Sequence, residues 1–236
     1  MKDYPSRRRK AAKLLCPTTL ALTLLAFSAS PSMGAATVWD GPLYTYNQPT
    51  PDPSQATNQD RITPGVWLTR ASSGGLFNAA LETGATNNSP ANTEWAFGAL
   101  TNAANLNYTN WLGWLRGKSP TTMVGSNVVV HLMAEDVYLS FQFSLWASKG
   151  SGGFTYQRST PVRPVLFAGP AGGSPGGFQF SFTAVPGRSY LVQSSTNLVD
   201  WSPALTNTAA GTLVPVATPQ PATDACFFRV GPAPGS

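Results

Sequence analysis

The chain has little histidine and little cysteine, and these shortages exclude several kinds of active site. Its 236 residues contain one histidine, His131, and two cysteines. A zinc site needs several such ligands, and a Ser-His-Asp triad would have to use His131, which lies mid-strand between apolar residues. We therefore expect no catalytic residue, metal or cofactor. Asp40, Asp52 and Asp60 lack the dense spacing of a calcium loop, although a looser calcium site stays open.

The chain also lacks an apolar run of the roughly 20 residues that span a bilayer as a helix. Its longest such run, 14–27, follows a basic segment and precedes a series of small residues. That order is typical of a secretory signal peptide, so we predict that residues 1–36 are removed on secretion. The mature protein would then be extracellular or at the cell surface, with no membrane attachment. An uncleaved anchor is the alternative.

Net charge is low once this leader is set aside. Six of the 15 basic residues and one of the 10 acidic residues lie in it, which leaves nine of each sign. Nucleic-acid binding needs a clustered positive surface, and the remaining basic residues are scattered. The apparent basicity of the chain is therefore a targeting feature, and nucleic acid is excluded as a partner.

What the sequence does contain is period-two alternation of apolar and polar residues. Alternate side chains of a strand point to opposite faces, so the stretch after residue 136 predicts a strand with one buried face. The glycine-rich residues 147–153 then form a turn, and a second strand returns from 154. The residues predicted to face the core are Val137, Leu139, Phe141, Phe143 and Leu145, and those predicted to face outward are Tyr138, Ser140, Gln142, Ser144 and Trp146.

Short alternating stretches separated by Gly, Pro, Asn and Ser recur along the whole chain, which is typical of an all-β protein. We predict an antiparallel β-sandwich, jelly-roll or immunoglobulin-like, over 37–167. A Gly/Pro linker at 168–177 and a small β-sandwich module at 178–236 follow it. Helical spacing of apolar residues within 107–117 predicts one short helix. Cys226, the cysteine outside the leader, is predicted to be a small buried residue.

The C-terminal segment resembles a known module. Its Gly-x-x-Tyr strand (GRSYLVQ), Ser-Thr-Asn-Leu-x-x-Trp turn (STNLVDW) and closing Phe-Phe-Arg-Val strand are similar to a C-terminal accessory module of secreted bacterial proteins. The resemblance covers 178–230 and implies a fibronectin- or immunoglobulin-like sandwich without catalysis. The hairpin at 135–161 resembles one found in uncharacterised secreted bacterial proteins. Neither resemblance assigns a catalytic residue.

Aromatic residues provide the candidate binding site. Seven tryptophans in a weakly charged β-protein are typical of surfaces that stack sugar rings, with nearby amides bonding the sugar hydroxyls. The alternative for each tryptophan is that it packs in the core. The predicted ligand-binding residues are Trp146, Tyr138, Gln142, Trp111 and Trp114.

Three functions remain open from the sequence. The first is a secreted, non-catalytic binding or surface-adhesion protein whose partner is a polysaccharide or cell-surface glycan. The second is a structural component of the cell envelope that assembles with other envelope proteins. The third is a small glycan-active hydrolase, which needs two carboxylates across its substrate. Its candidates are Glu82, Glu94, Glu135 and Asp136.

Overall fold

The computed structural model describes residues 36–148, 150, 152–169, 177–219 and 226–235. The predicted leader, 1–36, lies outside this part except for its last residue. Most of the predicted linker, 168–177, also lies outside it, although Ala168 and Gly177 belong to described strands.

The described residues form short strands throughout, with a single short α-helix among them. The strands are β1 (Thr37–Trp39), β2 (Leu43–Gln48), β3 (Asp60–Thr63), β4 (Val66–Thr69), β5 (Phe77–Asn78), β6 (Thr93–Phe97), β7 (Val128–Leu132), β8 (Val137–Trp146), β9 (Phe154–Ser159), β10 (Leu166–Ala168), β11 (Gly177–Thr183), β12 (Ser189–Ser195), β13 (Ser202–Thr208), β14 (Leu213–Pro219) and β15 (Phe227–Pro232). Helix α1 is Trp111–Leu115, and three 3₁₀ turns occupy Ala56–Asn58, Leu100–Asn105 and Pro120–Met123. The all-β prediction is confirmed.

Six strands form the main sheet, in the order β2-β9-β8-β7-β6, with β1 pairing in parallel beside β8. A smaller sheet, β3-β4-β5, supplies further side chains to the same core. Apolar residues at alternate positions of the two sheets fill that core, and they include Leu68 and Phe141. Burying such side chains contributes roughly 1.5–3 kcal/mol each before chain entropy is subtracted. The outcome is the predicted sandwich-like architecture.

Strand β8 follows the predicted alternation up to Phe143 and then departs from it. Val137, Phe141 and Phe143 are buried as predicted. Its pairing with β9 shifts register between Phe143 and Leu145, which indicates a β-bulge. An extra residue reverses the faces beyond it, so Leu145 is 50 % exposed and Trp146 is 7 % exposed. The predictions that Leu145 faces the core and that Trp146 shares the outer face with Gln142 are therefore wrong.

Helix α1 lies where helical spacing predicted a helix. The side chain of Asn110 caps its first turn by accepting a hydrogen bond from the backbone N–H of Gly113, at 2.8 Å. Arg116 ends the helix with a left-handed backbone, at φ 52°. The cap and this terminus restrict the helix to five residues, three of which face the core: Trp111, Trp114 and Leu115.

The C-terminal strands form two three-stranded sheets, β10-β11-β14 and β13-β12-β15. They share a small core that contains Phe182, Tyr190 and Val214. The hydroxyl of Tyr190 accepts a hydrogen bond from the backbone N–H of Val185, at 2.8 Å, and so fixes the turn between β11 and β12. Cys226 precedes β15 and is partly exposed, so the prediction that it is buried is wrong; the chain reaches the sheet one residue later.

The described residues pack as one compact unit. Strand β10 pairs with β11, so the C-terminal sheets begin at Leu166. Thr212, on the turn between β13 and β14, lies within hydrogen-bonding distance of Asp60 on β3. The division of the chain into domains at 168–177 stays a prediction.

Candidate functional site

The first candidate surface is the side of strands β8, β9 and β2 that faces away from the core, and we call it the outer face. It consists of the residues of β8, β9 and β2 that alternate with core residues. None of them carries a charge, and most are hydroxyl or amide side chains: Tyr138, Ser140, Gln142, Ser144, Thr155, Gln157, Leu43, Thr45 and Asn47. Such groups can both donate and accept hydrogen bonds. The face is therefore suited to a neutral polar partner.

A groove of about 280 Å³ crosses this face, and we call it the sheet groove. Ser140, Gln142 and Gln157 form its floor, while the segment at 98–100 and Asn127 form one wall. The amide nitrogen of Gln142 donates to the backbone carbonyl of Gly125, at 3.2 Å.

The two floor glutamines are held by their amide nitrogens. That of Gln142 also donates to the side-chain oxygen of Asn127, at 3.3 Å, and that of Gln157 donates to the hydroxyl of Thr45, at 3.2 Å. Because both side chains are exposed, their amide oxygens can accept further hydrogen bonds from a ligand.

An aromatic column stands at one end of the same face. The ring of Tyr138 stacks on that of His131, with centroids 4.2 Å apart and an interplanar angle of 5°. Tyr108 contacts both rings edge-on and donates its hydroxyl to the carbonyl of Ala103, at 2.8 Å. Burial first, and then the charge of Asp136, raises the pKa of Tyr138, so its hydroxyl stays neutral. The column adds an apolar contact surface beside the polar groove.

Two carboxylates flank the histidine of this column. Asp136 Oδ1 lies 3.1 Å from His131 Nε2, and Glu94 Oε2 lies 3.6 Å from His131 Nδ1. Register explains the arrangement, because Glu94 and Tyr138 are the cross-strand partners of His131 on its two neighbouring strands. Asp136 reaches it from the tight turn before β8, where its backbone φ is 49°. Sequence spacing did not indicate that Glu94 lies beside His131.

The other two carboxylates named for a hydrolase hold loops in place. Glu82 accepts hydrogen bonds from the backbone N–H groups of Asn78 and Ala91, at 2.7 and 2.9 Å. Glu135 accepts from the hydroxyl of Thr63, at 2.6 Å, and from the amide of Asn92, at 3.1 Å. These hydrogen bonds indicate a structural role for Glu82 and Glu135.

Three of the five predicted ligand-binding residues are buried. Trp111, Trp114 and Trp146 belong to the core, and Trp111 is 1 % exposed. Their rings pack against one another, with the centroids of Trp111 and Trp114 5.2 Å apart and those of Trp111 and Trp146 5.6 Å apart. A sugar ring stacks on an exposed aromatic face. Tyr138 and Gln142 are the two predicted residues that the fold presents on the outer face.

A second cavity, of about 410 Å³, lies where β2, β3 and the β13–β14 turn meet, and we call it the junction cleft. Beneath it, the buried carboxylate of Asp60 binds Arg158 through two nitrogens, at 2.6 and 2.9 Å. The hydroxyl of Tyr156 donates to the same carboxylate at 2.6 Å. None of the sequence patterns described above predicted this cavity. The available signal was a charged residue within each of two strands that otherwise alternate, Asp60 on β3 and Arg158 on β9.

Among the described residues, no group of three or more His, Cys, Asp or Glu side chains is arranged to hold a metal ion. Within the same residues, no helix is long and apolar enough to cross a membrane. Comparison of the chain with protein-family models, with curated proteins and with solved structures gives no match.

Proposed function

We propose that this is a secreted, non-catalytic binding protein that holds a neutral polysaccharide along the outer face. The observation that supports it is the uncharged row of amide and hydroxyl side chains on three adjacent strands, interrupted by the sheet groove. Secretion rests on the leader pattern of residues 1–36.

The chemistry of the face favours sugar hydroxyls over other partners. A sugar hydroxyl donates to a glutamine oxygen and accepts from an amide or hydroxyl, and each such bond contributes about 0.5–1.5 kcal/mol. Gln142 and Gln157 lie opposite each other on neighbouring strands, so successive sugar units could bond both. The lining of the sheet groove carries no charge, so we expect the affinity to depend little on salt, unlike that of an ionic partner.

Tyr138 supplies the apolar part of the proposed site. Its ring is held in place by stacking on His131 and by the edge of Tyr108, so little side-chain entropy is lost on binding. Trp111, Trp114 and Trp146 have no part in this proposal, because they lie in the core.

The hydrolase alternative is less favoured by the same geometry. A glycosidase places its two carboxylates across the scissile bond, with space for the substrate between them. Between Glu94 and Asp136 lies the imidazole of His131, which contacts both. Substrate has no room between these two carboxylates as they stand.

The test is affinity electrophoresis of the secreted chain in gels that contain dextran, laminarin, xylan or the anionic polymer alginate. We expect retardation by at least one neutral polymer, unchanged between low and high salt. The double variant Gln142→Ala/Gln157→Ala should bind about tenfold more weakly or worse, since two bonding side chains are lost. Gln179→Ala, an exposed glutamine on β11, is the matched control and should migrate as the wild type.

Two results would refute the proposal. Migration unchanged by all the neutral polymers argues for the structural role in the envelope, in which the same face packs against another protein. Retardation that the double variant retains in full would place polysaccharide binding elsewhere on the molecule.

A further inference from the structure

The junction cleft is separate from the outer face and is built differently. Strand β2 contributes the core-facing tyrosines to it, the segment around β3 contributes polar groups, and the β13–β14 turn closes one side. The residues that line it include Tyr44, Tyr46, Thr57, Asp60, Arg61 and Gly211. Its volume of about 410 Å³ is within the range of cavities that bind small molecules.

Tyr46 is the unusual group in this cleft. Its side chain is 5 % exposed, and its hydroxyl has no hydrogen-bond partner among the described residues. Burial first, and then the negative charge of Asp60, raises the pKa of Tyr46. A buried hydroxyl without a partner is costly, and a bound molecule would remove that cost.

The charged side chains that line the cleft already have hydrogen-bonding partners. Asp60 is neutralised by the two-point contact with Arg158. The guanidinium of Arg61 donates twice to the side-chain oxygen of Gln59, at 2.8 and 3.1 Å, and lies 4.2 Å from the ring centroid of Trp67. Among the polar side chains that line the cleft, Asp60 is paired with Arg158 and Arg61 is bonded to Gln59, whereas the phenol of Tyr46 and the hydroxyl of Thr57 suit the hydroxyl groups of a ligand.

We propose that the junction cleft binds a compact neutral molecule with several hydroxyl groups, of monosaccharide size, and that one of these hydroxyls hydrogen-bonds Tyr46. The site is independent of the outer face and of the polysaccharide proposed there. The cleft lies between β2 and the β13–β14 turn, so a bound ligand would also stabilise the contact between these two segments.

The experiment titrates glucose, galactose, N-acetylglucosamine and glycerol into the full chain by calorimetry and ligand-observed NMR. We expect saturable binding of at least one of them. Tyr46→Phe removes the unpartnered hydroxyl, so it should weaken that binding about threefold to tenfold. The same substitution should raise Tm of the ligand-free protein by about 2–4 °C, because a buried polar group without a partner is lost.

Two further variants separate binding from folding. Tyr190→Phe removes a hydroxyl that is already bonded to Val185, so it should lower Tm and leave the sugar affinity unchanged. Gly211→Leu adds a side chain at a lining position where a Cβ meets no atom within 4 Å, and it should abolish binding while the protein stays folded.

Three results would overturn the proposal. One is that none of the four probes saturates the wild-type protein. Another is a Tyr46→Phe protein that binds sugar as tightly as the wild type does. The third is a lower Tm for Tyr46→Phe without sugar binding, which would mean that the cleft holds ordered water only.

Discussion

Asp60 and Arg158 form an ion pair sealed inside the molecule, although they are 98 residues apart in sequence. Arg158 Nε lies 2.6 Å from Asp60 Oδ2, and the two side chains are at most 2 % exposed. Tyr156 and Thr212 also contact the carboxylate, at 2.6 and 3.1 Å. Neither charge can be removed without leaving the other buried and unpaired.

Arg158→Met is therefore expected to lower the free energy of unfolding by about 3–5 kcal/mol, because it leaves the carboxylate of Asp60 buried without its counter-charge. Denaturation in urea, followed by tryptophan fluorescence, measures the change. Arg163→Met is the matched control at an exposed position and should change stability by less than about 0.5 kcal/mol. A similar loss in both variants would contradict the buried pair.

The β-bulge in β8 predicts opposite results at two neighbouring apolar residues. Phe143→Ala should cost about 3–5 kcal/mol, since it opens a cavity between buried aromatic rings. Leu145→Thr should change stability by less than about 0.5 kcal/mol, because that side chain is exposed. Both values come from urea denaturation. A large loss of stability in Leu145→Thr would mean that Leu145 is buried and that the alternation continues through β8 without a bulge.

Trp111→Ala tests the aromatic core, and it should cost about 3–5 kcal/mol because the Trp111 ring packs on Trp95 and Phe143. Trp201→Ala is the control, since that ring lies near the surface under Arg229 and its loss should cost about 1 kcal/mol. Stability is measured by denaturation. Acrylamide should quench the emission of Trp201 far more than that of Trp111, and equal quenching would contradict the burial.

Alkaline pH should destabilise the protein through its tyrosines. Burial, followed by the charge of Tyr138, raises the pKa of Tyr108 from 10.0 to about 12. The folded state thus holds this proton more tightly than the unfolded state does. Its contribution to stability is complete below pH 10 and is lost as pH rises through about 12. The raised pKa values of Tyr44 and Tyr156 act in the same direction.

Urea denaturation at a series of pH values from 8 to about 12, with phenolate absorbance recorded in parallel, measures this effect. Tyr108→Phe should show a shallower decline in the free energy of unfolding than the wild type over that range. A free energy of unfolding that stays constant up to about pH 12 would refute the raised pKa values.

The fold class followed from the sequence because alternation is a local signal, and Val137 to Phe143 obeyed it. The bulge before Leu145 was not predictable in the same way, since it depends on how β8 pairs with β9. Glu94 reaches His131 as its cross-strand partner on β6, so sequence spacing did not reveal this carboxylate.

The predicted site illustrates the same limit. Tyr138 and Gln142 were placed on the outer face from local alternation alone. Whether a tryptophan faces water depends on what covers it, and Trp111 and Trp114 are turned inward by α1, whose cap at Asn110 determines where the helix begins. The partners of Asp60 come from segments 98 and 152 residues away, beyond the reach of any local pattern.

The contact between Thr212 and Asp60 has a consequence for biosynthesis. A nascent chain emerges from the ribosome starting at its N-terminus, so β3 and Asp60 leave the exit tunnel long before the β13–β14 turn has been translated. Until then the carboxylate lacks one of its hydrogen-bonding neighbours, and the wall of the cleft beside it is missing. The last quarter of the polypeptide thus completes the junction cleft, whose other lining residues are synthesised earlier. A chain that terminated before the β13–β14 turn would lack one side of this cleft.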